Sequence, residues 1–402
     1  MRGSGSVRIG TQILQWIVGI MVVAGSFFWL ATFVAAFFFR GRTKPPKRTF
    51  DSLPPVTLLK PVCGLEKNLR ENLRSACLQE YPSYQVVYSV QHSDDPAIPL
   101  LWELEREFGS ERVTVAIEDV RLGLNGKVNN LAGGLRRARH DVLVISDSDV
   151  CLRPDYLRAI VAPLADPEVG AVSTFYKATG ADRWYEQMEL LTLNADHFAV
   201  SQFAYVVNLF NFCFGASVAF RRGILAEIGG LDVLADHLVE DYEMSRRIVR
   251  ANKKLAAVNY VVDTTVDLRS PAHWWRKMTY WDQKTRAAEP GVFAATIALR
   301  VIPLGLLFAA LRGFDSAGLA VLAGALTVRL AAAVAAAGIA LRDRETLRSL
   351  WLVPVKDTLS FFWYVRSHLK RSVNWRGVEM GLTRTGRLVP LRPERSAAER
   401  SA

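Results

Sequence analysis

The chain has few cysteines, and it lacks the short motifs that identify the commonest nucleotide-binding sites. Its 402 residues contain four cysteines, none of them in a C-x-x-C pair. That spacing argues against a disulfide scaffold and against a zinc module. No G-x-G-x-x-G motif follows a predicted strand and no G-x-x-x-x-G-K-[ST] occurs, so a Rossmann dinucleotide site and a Walker site have no support. Half of the residues are hydrophobic, which excludes disorder throughout.

The longest uncharged run lies near the amino terminus. Residues 13–39 carry no charge and end in three phenylalanines. About 20 apolar residues cross a bilayer, whereas the apolar part of a signal peptide has about 7–15 residues and ends at a small-residue cleavage site. We therefore expect residues 1–40 to form an uncleaved membrane anchor rather than a signal peptide.

Basic residues cluster directly after this run. They are Arg40, Arg42, Lys44, Lys47 and Arg48, against only Arg2 and Arg8 before it. Because Lys and Arg collect on the cytoplasmic side of a membrane, the chain that follows is expected in the cytosol. Residues 41–55 are a basic, proline-rich linker into it. The net charge of +11 thus collects at membrane boundaries, which argues against nucleic acid as a partner.

A second apolar region begins near residue 291. Residues 292–311 and 317–341 are two candidate spans joined by a short turn, so that residues 291–341 predict a transmembrane hairpin. Each span contains one arginine, Arg300 or Arg329. A charge within a span is costly, so we expect both arginines to face protein groups or to reach the headgroups.

A third apolar region, residues 350–365, is shorter and contains Lys356 and Asp357. It is followed by the basic residues Arg366, His368, Lys370, Arg371 and Arg376. Because the hairpin returns the chain to the cytosol, both ends of this region are already cytoplasmic. We therefore interpret residues 342–402 as an interfacial or re-entrant segment with a basic tail.

Between residues 56 and 270, short β-rich runs alternate with amphipathic stretches. The predicted strands are 56–62, 85–90, 112–117 and 141–146, and the predicted helices are 65–79, 96–108 and 128–138. Strands that alternate with helices form βαβ units and a mostly parallel sheet. Such sheets bind ligands outside the carboxyl ends of their strands. The residues that follow strands are therefore the first candidates for a site.

Charged residues lie near the ends of the predicted strands or in the loops that follow them. They are Lys60, Asp94, Asp95, Lys127, Asp147 and Asp149. An Asp-x-Asp pair at a strand end suits Mg²⁺ or Mn²⁺, because Mg²⁺ takes one or two carboxylates and completes its shell with water and substrate phosphates. Such an ion would neutralise a nucleotide diphosphate as it leaves. The alternative is that these aspartates only cap the helices that follow.

Glu240 and Asp241 open a predicted amphipathic helix. A carboxylate at a helix start often only complements the helix dipole. It can also act as a general base, which an inverting glycosyl transfer needs in order to take the proton of the acceptor hydroxyl. By itself the pair leaves both roles open.

The order of these motifs resembles that of the ceramide glucosyltransferase family. In chain order they are Leu58-Leu-Lys-Pro61, Asp94-Asp-Pro-Ala97, Lys127-Val-Asn-Asn130, Asp147-Ser148 and Glu240-Asp-Tyr242. The resemblance covers about residues 56–387, and the flanking membrane regions agree with it. It implies an α/β fold of the GT-A nucleotide-sugar type over residues 56–270. An interfacial aromatic and basic helix is expected over residues 271–290.

The resemblance also implies a nucleotide-sugar site at the strand ends. Asp95 corresponds to an aspartate that contacts the nucleotide. Asp147 corresponds to one in the metal–diphosphate site, with Asp149 as a further metal ligand. Lys60 and Lys127 are expected beside them, on the diphosphate.

On the acceptor side, the resemblance implies that Asp241 is the catalytic base, with Glu240 beside it. His197 lies where the family has a reactive histidine. A contact between His197 and the acceptor and a purely structural role are both open.

The last motif of the family, Q/R-x-x-R-W, is altered in this chain. The nearest stretch, Arg276-Lys-Met-Thr-Tyr-Trp281, has Tyr280 in place of the arginine. Trp281 and Arg276 are expected on the nucleotide-sugar side of the site, and Tyr280 on the acceptor side. How the diphosphate is held stays open, because either Arg276 or Arg286 could supply the missing charge.

Together these features predict a membrane-anchored, inverting glycosyltransferase. It would move glucose or a related hexose from a UDP-sugar to the hydroxyl of a membrane lipid, ceramide first, with hopanoid or diacylglycerol as alternatives. A processive polysaccharide synthase is a second alternative, which the few spans and the altered motif disfavour, and an inactive membrane scaffold is a third. The expected location is integral to a membrane, and the high alanine and arginine content is compatible with a bacterial inner membrane.

Overall fold

The computed structural model describes residues 3–42, 48–370, 372–375, 378–383 and 385–391. The linker residues Lys44 to Lys47 lie outside these ranges, as do Arg371 and Arg376. What was expected of those basic and proline residues therefore stays a prediction.

An eight-stranded sheet forms the centre of the domain between the two apolar regions. Its strands are β1 (Val56–Pro61), β2 (Tyr84–Val90), β3 (Val113–Ile117), β4 (Val142–Ser146), β5 (Val150–Cys151), β6 (Val169–Thr179), β7 (Ser217–Arg221) and β8 (Lys254–Thr265). They lie in the order β3-β2-β1-β4-β7-β6-β8-β5. β1 pairs in parallel with β2 and β4, whereas β7 runs antiparallel between β4 and β6. The predicted α/β class with a mostly parallel sheet is confirmed, and the four predicted strands agree to within a residue at each end.

Helices cover both faces of this sheet and build the apolar regions. They are α1 (Gly3–Phe39), α2 (Leu69–Cys77), α3 (Ile98–Phe108), α4 (Gly126–Arg137), α5 (Tyr156–Val161), α6 (Trp184–Leu191), α7 (Phe198–Val206), α8 (Arg222–Ile228), α9 (Glu240–Arg250), α10 (Pro271–Ala288), α11 (Pro290–Ala295), α12 (Val301–Leu311), α13 (Ser316–Val334), α14 (Arg344–Ser349) and α15 (Val353–Leu369). Successive strand residues point to opposite faces, so Leu58 packs among residues of α2, α3 and α5, and Leu59 among residues of α4, α8 and α9. Because both faces are buried, the central strands β1, β2 and β4 are mostly apolar, and Lys60 is a buried exception in β1.

Within the described ranges, two helices are long and apolar enough to cross a membrane. They are Ile9–Phe39 and Ser316–Leu341, the second of which ends in a π-helical stretch. The other arm of the predicted hairpin, Pro290–Leu299 with Val301–Leu311, is bent by 59°. Pro303 explains the break, since it has no amide hydrogen to donate to the carbonyl of Leu299.

The two arginines of the apolar regions face protein carboxylates, as expected. Arg329 is fully buried, with its Nε 2.7 Å from Asp357 Oδ2 and an ion pair to Asp196. Lys356 completes this cluster by pairing with the same two aspartates. Each buried charge thus has an opposite partner, which offsets the cost of its desolvation.

The region predicted as a basic tail contains a second, three-stranded sheet. Its strands are β9 (Ser372–Trp375), β10 (Val378–Leu382) and β11 (Leu388–Pro390). Val373, Met380 and Leu388 of this sheet pack with Leu238, just before α9, and with Tyr280 of α10. The small sheet therefore holds the start of α9 against α10.

Candidate active site

The loop between β4 and β5 carries Asp147 and Asp149 at the carboxyl edge of the sheet. Lys60, near the end of β1, is fully buried, and its Nζ donates hydrogen bonds to the carbonyl oxygens of Asp147 at 2.8 Å and Val150 at 2.9 Å. Burial lowers the pKa of Lys60 to about 8, against the charges of Asp149 and Asp147. Lys60 therefore positions this loop through its backbone, and a contact with the diphosphate stays a prediction.

Lys127 links this loop to the start of α9. Its Nζ lies 2.7 Å from Asp147 Oδ1 and 3.2 Å from Glu240 Oε1, and donates a hydrogen bond to the Gly215 carbonyl at 3.1 Å. Burial acts to lower the pKa of Lys127, but the charges of Asp147 and Glu240 outweigh it and raise that pKa. A charged ammonium thus holds together two carboxylates from distant parts of the chain.

Asp241 lies in the first turn of α9, beside this cluster. Its Oδ2 accepts a hydrogen bond from the Gly215 amide at 2.7 Å, and its Oδ1 accepts one from the Tyr242 amide at 2.8 Å. Burial and the charge of Glu240 raise the pKa of Asp241. Burial acts the same way on Glu240, but Lys127 and then Lys284 outweigh it and lower the pKa of Glu240. The two adjacent acids therefore differ, because Glu240 is an ion-paired anion and Asp241 takes up a proton more readily.

Two residues of this cluster were missed by sequence reasoning. A Cβ atom at Gly215 would lie 2.8 Å from Asp241 Oδ2 and 3.2 Å from Lys127 Nζ, so the close approach requires glycine. Asn125 caps α4 and donates a hydrogen bond from its side chain to Glu240 Oε2 at 3.3 Å. Asparagine before a helix is a recognisable capping signal, whereas a single glycine in an apolar stretch carries none.

Asp147 and Asp149 are the candidate ligands of a divalent cation. Asp149 is half-buried, and no described side chain or amide donates a hydrogen bond to its carboxylate. Burial, followed by the charges of Asp147 and Glu66, raises the pKa of Asp149 to about 7. Among the described residues, no group of three or more His, Cys, Asp or Glu could hold a metal ion. Two carboxylates still fit Mg²⁺ or Mn²⁺, because phosphate and water oxygens complete the shell of such an ion.

Asp95 lies at the same edge but binds the backbone of its own surroundings. Its carboxylate accepts hydrogen bonds from the Gly64 amide at 2.8 Å and the Ala97 amide at 2.9 Å. These bonds tie the loop after β1 to the start of α3, while the neighbouring Asp94 is exposed. Asp95 therefore stabilises these backbone turns, and its contact with a nucleotide stays a prediction.

His197 and Trp281 of α10 lie close together at one side of the candidate site, which is the crevice at the carboxyl edge of the sheet. The His197 Nε2 lies 3.0 Å from the Tyr176 hydroxyl, and the His197 ring centroid is 6.1 Å from that of Trp281. Burial and, after it, the charge of Lys284 lower the pKa of His197 to about 4. His197 is therefore a neutral group in an aromatic pocket.

Arg276 and Arg286 of α10 were the two candidates for the charge that Tyr280 does not supply. Arg276 is exposed, and Arg286 donates hydrogen bonds to the carbonyls of His368 at 3.3 Å and Lys370 at 3.1 Å. Those carbonyls lie at the end of α15, so Arg286 does not supply a free charge to the crevice. Tyr280 packs among apolar residues that include Leu124, next to the cap of α4.

Comparison with known proteins identifies the family of the chain. The model of glycosyl transferase family 21 matches residues 15–388. The Caenorhabditis elegans ceramide glucosyltransferase 1 is 28% identical over 210 residues, which are 51% of this chain and 44% of that protein. The C. elegans ceramide glucosyltransferase 3 is 24% identical over 315 residues, 76% of this chain and 67% of that protein.

A solved structure shares the fold. It is a mannosyltransferase from Pyrobaculum calidifontis in complex with GDP-Man and Mn²⁺, with 20% identity, a TM-score of 0.55 and coverage of 89% of this chain and 98% of that one. The expected GT-A fold is thereby confirmed. The family model and the C. elegans relatives confirm the resemblance stated from the motifs. The chain belongs to glycosyl transferase family 21, the family of the ceramide glucosyltransferases it matches.

Proposed function

We propose that the chain is a lipid hexosyltransferase that moves glucose or a related hexose from a UDP-sugar to the hydroxyl of a membrane lipid. The family supports glycosyl transfer, and the C. elegans relatives support ceramide as the first acceptor to test. The observation that carries the proposal is the contrast between the two acids at the start of α9. One is locked in an ion pair with Lys127, and the other is a carboxylate of raised pKa held by two amides.

Asp241 is the general base of the proposed reaction. The acceptor oxygen forms a bond to the anomeric carbon of the sugar while the bond between that carbon and the diphosphate oxygen breaks. The hydroxyl proton goes to the Asp241 carboxylate, and the electron pair of the broken bond leaves on UDP. A single displacement of this kind inverts the anomeric configuration, and a base with a raised pKa is a better proton acceptor.

Asp147 and Asp149 are the residues that would hold a divalent cation. When bound, such an ion supplies positive charge to the leaving diphosphate. The P. calidifontis mannosyltransferase was solved with Mn²⁺, which supports the choice of metal to test. Lys127 forms ion pairs with both Asp147 and Glu240, and it keeps those two acids together without a metal ion.

The membrane arrangement is part of the proposal. We divide the chain into an anchor over 1–40, a linker over 41–55, a catalytic domain over 56–270 and an interfacial helix over 271–290. Membrane-associated segments follow, over 291–341 and 342–402. The two apolar helices long enough to span a bilayer support an integral membrane protein. The basic residues after α1 support a cytosolic catalytic domain, and the bacterial inner membrane is inferred from composition alone.

The test uses the purified full-length chain in detergent with Mn²⁺. UDP-glucose, UDP-galactose and UDP-N-acetylglucosamine are each offered with ceramide, diacylglycerol and a hopanoid. We expect one donor to yield a glycolipid and an equal amount of UDP, with ceramide preferred. A polymer product would favour a polysaccharide synthase, and no transfer from any donor would favour an inactive scaffold.

A further inference from the structure

A diphosphate in the crevice would carry more negative charge than one divalent cation neutralises in full, and most basic side chains of the crevice are already engaged. Lys60 is bonded to two backbone carbonyls, and Lys127 is bonded to Asp147 and Glu240. Lys277 pairs with the buried Glu189 at 2.5 Å. Arg286 caps the end of α15. An ion pair already made inside the protein leaves little charge for a new anion.

Lys284 is the exception on this side of the crevice. It is half-buried on α10, and its Nζ lies 6.0 Å from the centre of the Tyr280 ring. Among the described residues, no carboxylate or carbonyl forms an ion pair or hydrogen bond with this ammonium. A half-buried cation without an anionic partner is in an unfavourable setting, which a bound anion would relieve.

Helical register places Lys284 on the same face of α10 as Tyr280 and Trp281. Residues four apart lie on one face of a helix, so Lys284 follows Tyr280 by one turn, and Trp281 lies on the adjoining side. Trp281 contacts His197, and Tyr280 packs with Leu124 and Val239, which flank Asn125 and Glu240. The charge of Lys284 accordingly acts on the pKa values of Glu240, Asp241 and His197.

We propose that Lys284 binds the diphosphate of the UDP-sugar and stabilises the charge that develops on UDP as it leaves. Lys284 thereby supplies, one helical turn further on, the positive charge that Tyr280 cannot supply. The inference rests on the proposed function, because it presupposes a nucleotide diphosphate in the crevice. In the reaction, the electron pair of the broken sugar–oxygen bond goes to the β-phosphate oxygen that faces this ammonium.

The first experiment compares the binding of UDP, UMP and uridine to the purified full-length chain. Lys284→Met removes the charge and keeps a linear side chain. A charge-assisted hydrogen bond has a strength that corresponds to about 10- to 100-fold in affinity, so UDP should bind more weakly by that factor. Uridine, which has no phosphate, should bind as it does to the unaltered chain.

Lys254→Met is the matched control. Lys254 starts β8 at the opposite edge of the sheet and pairs with Glu168 on the surface. Its removal changes the net charge equally, so it should leave the affinity for all three probes unchanged. If both variants lose UDP affinity equally, the loss is due to long-range charge, and the assignment of Lys284 is overturned.

The second experiment moves the charge. Lys284→Arg should retain UDP affinity within a few-fold, and the double variant Tyr280→Arg with Lys284→Met should recover most of the affinity lost by Lys284→Met alone. Unchanged UDP affinity in Lys284→Met overturns the proposal, and so does an equal loss of uridine and UDP, which would show a packing role. An unaltered chain that binds UDP but transfers no sugar would contradict the proposed function, and the UDP affinities of the variants would still test the binding of the diphosphate by Lys284.

Discussion

The amide of Gly215 donates a hydrogen bond of 2.7 Å to the Oδ2 atom of Asp241, and only a glycine leaves room for it. The two residues lie 26 positions apart in the chain. Gly215 precedes β7, the antiparallel strand beside β4, and Asp241 begins α9. The carboxylate proposed as the base is thus held by a backbone amide of the loop that leads into β7.

Gly215→Ala should reduce turnover, because its Cβ atom would overlap the Asp241 carboxylate and displace it. A displacement of about 1 Å at a reacting group costs about 100-fold in rate. The control is Gly223→Ala in α8, where a Cβ atom meets nothing within 4 Å and activity should be retained. The turnover of both variants is measured at saturating UDP-sugar. Normal turnover in Gly215→Ala would contradict the role of Asp241 as the base.

Asp241→Asn should lower turnover by about 10²- to 10⁴-fold, because the amide cannot accept the proton of the acceptor hydroxyl. The affinity for the UDP-sugar should change little, since a base acts in the transition state. Glu240→Gln is the companion variant, which weakens the ion pair with Lys127 and should act mainly on stability and donor affinity. A larger loss of turnover in Glu240→Gln would exchange the roles of the two acids.

Removal of divalent cations by excess EDTA should abolish transfer, and Mn²⁺ or Mg²⁺ should restore it. Asp149→Asn should weaken UDP binding in Mn²⁺ by about 100-fold, because even partners of metal ligands contribute about 10- to 100-fold to metal affinity. In EDTA the variant and the unaltered chain should bind UDP alike. Full activity in EDTA would leave Asp147 and Asp149 a structural role in their loop.

The neutral state of His197 should appear in the pH dependence of stability. Its pKa is about 4 in the folded chain, against an ordinary value of 6.5, so the unfolded chain takes up this proton first. The contribution of this pKa shift to the free energy of unfolding is complete above pH 6.5. It declines as the pH falls towards 4, by about 3 kcal/mol at most. The free energies of unfolding at pH 7 and pH 4.5 should therefore differ less in His197→Asn than in the unaltered chain. An equal difference in the variant and the unaltered chain would contradict a lowered pKa of His197.

Arg329→Met should destabilise the fold, because Asp196 and Asp357 would share Lys356 as their remaining cation in this buried cluster. Removal of one partner from a buried ion pair costs about 3–5 kcal/mol. The control is Arg312→Met, whose solvent-exposed pair with Asp315 should contribute little to stability. Thermal unfolding in detergent measures both, and equal melting temperatures would mean that the cluster relaxes around the lost charge.

The sequence by itself determined the α/β class, because both faces of β1, β2 and β4 are buried and each strand is a local apolar run. It also determined where the charged residues lie along the strands, since a strand end is marked by the change from apolar to polar residues. Asp147 and Asp149 were named on that ground, whereas Glu240 and Asp241 were named because they open an amphipathic helix. The charge-free run before Arg40 likewise identified the first apolar helix.

Only the tertiary structure decided which of these residues meet. Asn125 and Glu240 are 115 positions apart and are joined because α4 and α9 cover the same face of the sheet. The insertion of β7 between β4 and β6 brings Gly215 to Asp241 and to Lys127. Lys284 enters the site because α10 lies across the crevice, held by the small sheet at the end of the described chain. Local periodicity records how far each segment is buried but not the partner that buries it, so strand order and helix docking appear only in the folded chain.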